Sequence, residues 1–99
     1  MAEPAYGPTG EPSEARVTVR FFAAARAAAD AEQEIVALPQ GATLADLVAA
    51  LAGRSAELSN VLARCSYLCD GVAVGAEAAA ARALVSGQTV DVLPPFAGG

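Results

Sequence analysis

The residues with the most chemical promise are the last two, Gly98-Gly99, which follow Pro94-Pro95-Phe96-Ala97. A glycine carboxylate has no β-carbon beside it. Such a terminus can thread a channel too narrow for any side chain, in conformations closed to other residues. An activating enzyme that attaches AMP to it creates an acyl-adenylate, a good electrophile for sulfur. The product is a thiocarboxylate on a flexible tether. This sequence of events asks no general base of the chain itself, in keeping with the absence of histidine. A glycine pair alone is a weak signal. Placed directly after a strand and two prolines it is stronger, because proline cannot donate to a ladder and favours extended backbone, so the tail is launched outward.

Composition narrows the alternatives. The 99 residues suffice for one domain. A net charge of −5 gives no cationic footprint for nucleic acid and suits a partner with a basic docking surface. All six cations are arginine. Without histidine, Cys65 and Cys69 make a poor metal site, and buried or half-buried thiols are expected. The polar N-terminus does not read as a signal peptide, and no apolar run is long enough to span a bilayer; the expected compartment is the cytoplasm.

These features need a body to hold them. Residues 1–15, rich in proline and glycine, read as a flexible arm; 16–95 as the folded domain; 96–99 as a flexible tail. Arg16–Phe22 alternates polar and apolar residues, a half-buried strand with Val17, Val19 and Phe21 inward. Ala23–Ala29 suits a short helix ending near Asp30, and Glu34–Leu38 a second strand, antiparallel to the first. Thr43 and Asp46 form a capping box ahead of the stripe Leu44, Leu47, Val48, Leu51, with Gly53 as terminator. A short helix follows the Ser55 cap. Ser66–Cys69 and Val72–Val74 flank the turn signal Asp70-Gly71. The alanine-rich stretch 76–83 suits either a turn of helix or a loop, and Thr89–Leu93 is the last strand. The implied fold is an α+β roll, one main helix across a mixed sheet, with the last strand beside the first. Phe22 and Leu93 are out of phase with the core residues of their strands. Together they predict an exposed apolar docking patch at the root of the tail.

The opening Val17-Thr18-Val19-Arg20-Phe21-Phe22-Ala23, with Arg26 beyond it, and the closing Asp91-Val92-Leu93-Pro94-Pro95-Phe96-Ala97-Gly98-Gly99 resemble the MoaD family, the small subunit of molybdopterin synthase, among the MoaD/ThiS-type ubiquitin-like sulfur carriers. The resemblance implies a β-grasp (ubiquitin-like) fold. It also implies adenylation of Gly99 by an E1-like (MoeB-like) enzyme that uses ATP, and loading of sulfur as a thiocarboxylate. Insertion of the tail into a MoaE-like large subunit, which supplies the catalytic site, would follow. On this reading Gly98 meets the narrow-channel requirement. Phe22, Leu93, Pro94, Pro95, Phe96 and Ala97 bind the partners, and the chain holds no cofactor or metal of its own. Carriers on other sulfur pathways, for thiamine, cysteine or thio-metabolites, and ubiquitin-like protein modifiers share the fold and the glycines.

Overall fold

A computed structural model of the protein describes residues 14–95; the rest of the expected N-terminal arm and the expected tail 96–99 lie outside the described residues. The chain runs β1 (Glu14–Phe21), α1 (Ala23–Ala29), β2 (Gln33–Pro39), α2 (Leu44–Ala52), α3 (Ala56–Leu62), β3 (Ser66–Cys69), β4 (Val72–Val74), α4 (Ala76–Ala79) and β5 (Thr89–Leu93). The strands form one five-stranded sheet in the order β2-β1-β5-β3-β4. β1 is antiparallel to β2 and parallel to β5, while β3 is antiparallel to both β5 and β4. The last strand therefore lies beside the first, the ubiquitin-like β-grasp arrangement.

Period-two alternation sets which face of the sheet is dry. In β1, Ala15, Val17, Val19 and Phe21 are all buried. The first strand starts two residues before the expected boundary, and Ala15 belongs to the core rather than to an arm. Val90 and Val92 of β5 and Cys69 of β3 continue the same dry face. Against it lies α2, whose Leu44, Leu47 and Leu51 are buried while Val48 is partly covered. The capping box is complete: the Thr43 hydroxyl accepts from the Asp46 N–H at 3.2 Å, and the Asp46 carboxylate accepts from the Thr43 N–H at 2.9 Å. Leu58 and Leu62 anchor α3, which packs on both α1 and α2.

Two local devices fix the far end. Asp70 and Gly71 sit at φ 50 and 83, a primed turn that joins β3 to β4, and the Asp70 carboxylate also accepts the Thr89 N–H at 2.9 Å. The long connection into β5 is pinned to the start of α2 by Leu44 N–H to Arg82 C=O and Leu84 N–H to Ala42 C=O, each 2.9 Å. The alanine-rich stretch forms only the four-residue α4. No helix among the described residues is long and apolar enough to cross a membrane.

Tyr67 lies partly buried with its hydroxyl donating to the Leu62 carbonyl at 2.9 Å. Burial, aided by nearby Cys65, pushes its phenol up to about 12. The folded state thus holds this proton more tightly than the unfolded chain, whose phenol titrates near 10. The resulting stabilisation is complete below pH 10 and is lost as the pH climbs from about 10 through about 12. Urea unfolding across that range is expected to show the loss in the natural chain and a reduced loss in Tyr67→Phe.

Candidate functional site

The tail leaves from the middle of the sheet, so its release has to be built into β5. Backbone groups along β5 alternate between two neighbours. Even-numbered residues face β1: Gln88 accepts from the Thr18 N–H at 2.9 Å and Val92 accepts from the Phe22 N–H at 3.2 Å. Odd-numbered residues face β3: Thr89 accepts from the Asp70 N–H at 2.8 Å, and the register continues through Leu68↔Asp91 to Ser66↔Leu93. Continuing both registers, the next donor toward β1 would be residue 94 and the next toward β3 residue 95. Both are proline, which has no N–H to give. One proline therefore ends each ladder. The Phe22 carbonyl, which residue 94 would otherwise have used, accepts instead from Ala25 at 3.0 Å and Arg26 at 3.4 Å as α1 begins.

The turn into α1 is tight. Phe22 is extended, but Ala23 sits at φ 50, in the left-handed region that disfavours a β-carbon. That single residue sends the chain away from the sheet edge and leaves Phe22 at the top of β1, next to the start of the tail.

On the outer face of the sheet, Arg20 of β1 stands opposite Asp91 of β5. The guanidinium Nε and Nη2 donate to the two carboxylate oxygens at 2.6 and 2.9 Å, a bidentate pair. Asp91 is the one buried charged residue among those described. The pairing raises the Arg20 pKa above its ordinary value, chiefly through the hydrogen bond to Asp91, so the cation is permanent. The same guanidinium lies 5.6 Å from the centre of the Phe22 ring, within cation–π range.

Phe22 and Leu93 lie one residue beyond the Phe21↔Val92 pair, which places them at neighbouring positions of the outer face. Both are half-buried rather than openly exposed. Phe22 is screened in part by Arg20, and Leu93 lies beside β3. Pro94 is half-buried and Pro95 exposed; Phe96, Ala97, Gly98 and Gly99 fall outside the described residues. Sequence reasoning missed the Arg20–Asp91 pair. The available signal was two opposite charges on the outward phase of strands expected to be neighbours. Cys65 is half-buried and Cys69 fully buried, both free thiols, and no group of potential metal ligands gathers among the described residues.

Fold and site together define a small ubiquitin-like protein that presents its C-terminal segment from a central strand. The ThiS family matches residues 19–99, and the chain belongs to that family. Among solved structures, the Haloferax volcanii HVO 2177 protein superposes with a TM-score of 0.77 at 25% identity, over 96% of each chain. A putative molybdopterin converting factor, subunit 1, from Pyrococcus furiosus gives 0.72 at 26% identity, over 83% of this chain and 99% of its own. SAMP1 of Haloferax volcanii shares the fold, with 0.71 at 24% identity over 85% of this chain and 99% of its own. No curated protein matches the sequence.

Removing either member of the charge pair should have unequal effects. Arg20→Ala strands the Asp91 carboxylate in a buried position, whereas Asp91→Ala leaves an arginine that can still reach water. The expected result is a larger drop in urea midpoint for Arg20→Ala than for Asp91→Ala.

Proposed function

We propose that this chain is a sulfur carrier that acts from its C-terminal carboxylate, as the small subunit of a molybdopterin synthase. The observation that carries the reading is the double-proline release of β5 from both neighbours, followed by Phe96-Ala97-Gly98-Gly99. Four residues beyond Pro95 extend at most about 14 Å, enough to reach into a partner's channel while the folded body stays outside. The reaction class follows from the terminus. An E1-like enzyme, MoeB-like in type, uses ATP to adenylate Gly99. A sulfur nucleophile displaces AMP and leaves a thiocarboxylate. Gly98 keeps the approach free of side chains. A MoaE-like large subunit then receives the tail and supplies the catalytic groups, since the reactive atom is all the carrier has to contribute. Phe22, Leu93, Pro94 and Pro95 form the contact surface around the tail, with Phe96 and Ala97 entering with it. The chain works in the cytoplasm, without nucleic acid or membrane, and binds no cofactor.

The subunit 1 designation of the Pyrococcus relative supports the molybdopterin branch over carriers on other sulfur pathways. The likeness to SAMP1, a small archaeal modifier protein, supports a second reading in which the same activated glycine is joined to amines on target proteins. Intact mass after incubation with an E1-like enzyme, ATP and a sulfur donor separates the two. The carrier reading expects one oxygen-to-sulfur exchange, whereas adducts on target lysines would favour the modifier.

Deleting Gly99, or adding a residue after it, should abolish loading and leave the thermal unfolding curve unchanged; an extended chain that loads fully would sink the proposal. Phe22→Ser is expected to weaken binding to the large subunit by calorimetry more than it lowers stability. Serine at that N-cap position can itself accept a helix N–H, which Phe22 does not offer.

A further inference from the structure

At the end of the sheet where the tail leaves, the start of β3, the end of β4 and the start of α4 enclose a cleft of about 240 Å³. Cys65, Tyr67, Ala73, Val74 and Ala76 line it, and none of its lining side chains is charged. Tyr67 stands opposite the buried Val92, and Val74 opposite Tyr67, so these side chains share the core phase of the sheet. Cys65 is half-buried, its thiol donating to the Val61 carbonyl at 3.2 Å. An apolar cavity of about 150 Å³ holds a benzene ring, so this cleft has room for a phenyl group. β5 brings the chain to its rim. Ser66 stands opposite Leu93, and one more antiparallel step sets Pro94 beside Cys65. Two residues further on comes Phe96, the only large side chain after Pro95.

We propose that Phe96 of the chain's own tail docks in this cleft, its ring against Tyr67 and Val74. The two prolines take the backbone out of both ladders but leave a side chain beyond them free to bind. Reach agrees. Strands lie ~4.8 Å apart, so a cleft between β3 and β4 is about 7 Å to the side of β5. Two residues past Pro94 span at most about 7 Å, and the phenyl group adds its own length. Phase agrees as well. Val90 and Val92 face the core and Pro94 is half-buried, so counting on by twos assigns residue 96 to the core side. The ring gains an aromatic neighbour in Tyr67 and covers apolar surface. The other end of the chain is a poorer source. The large apolar residues of 1–13 are Met1 and Tyr6, and β1, parallel to β5, starts at the far end of the sheet. From Glu14, Tyr6 would have to run back about 23 Å along β1, nearly taut, whereas Phe96 closes a loop of two residues. On the proposed function, docking keeps the Gly99 carboxylate against the carrier's own body until an activating enzyme draws Phe96 out. The docking itself does not depend on whether that carboxylate takes up sulfur, which intact mass after loading decides separately.

The test uses the full chain alone in solution. Cys65 serves as reporter, its alkylation by N-ethylmaleimide followed by peptide mass, with the fully buried Cys69 as a check that the domain stays folded. Phe96→Ala and a chain ending at Pro95 are each expected to raise the Cys65 rate about threefold, the change for a ring seated in roughly two thirds of molecules. Phe96→Leu should fall between them and the natural chain. NMR of the natural chain should show contacts from the Phe96 ring protons to the Val74 methyls and the Tyr67 ring. Equal Cys65 rates in all four chains, together with the absence of those contacts, overturn the proposal. A rate that rises only when residues 1–13 are removed overturns it too, and would assign the cleft to the N-terminal segment.

Discussion

Everything about this protein that points to function depends on how β5 is held and where the holding stops. A central strand gives its backbone groups alternately to two neighbours, so neither neighbour alone decides where it ends. Here the ends coincide because consecutive residues, Pro94 and Pro95, withhold a donor from β1 and from β3 in turn. A single proline would stop one ladder and leave the other able to draw the chain one residue further. The strand is thus firmly seated up to Leu93 and free of both ladders immediately afterwards.

Around that point the outer face is organised by one charge-assisted contact. Asp91 is buried enough to need a partner, and Arg20 supplies it with both carboxylate oxygens satisfied. The arginine then has its flat side left to lie by the Phe22 ring. Polar and apolar parts of the surface are therefore not separate patches. On the proposed docking surface, the guanidinium beside Phe22 already has its charge balanced. A partner there would need no carboxylate of its own to bury that cation.

Much of this was legible before any coordinates. The stripe of Leu44, Leu47 and Leu51, the Thr43–Asp46 box and the alternation in β1 and β5 each combine a local signal with a face that has to be buried, and each formed as expected. What failed to show has physical reasons. Ala15 looked like part of a polar arm because a lone alanine carries little burial signal, yet it packs fully inside. The Arg20–Asp91 pair depends on which strands become neighbours, a long-range fact. The left-handed Ala23 has no sequence mark at all, since glycine or asparagine is the usual sign of that conformation. The half-buried state of Phe22 and Leu93 likewise arises from neighbours that phase alone does not name.

The parallel alignment of β1 and β5 has a mechanical side. On the proposed function, a pull on the C-terminus along the axis of β5 would load the bonds to both flanking strands together in shear, where a hairpin edge would unzip one bond at a time. A body held in this way can be tugged by its end without being unravelled from it.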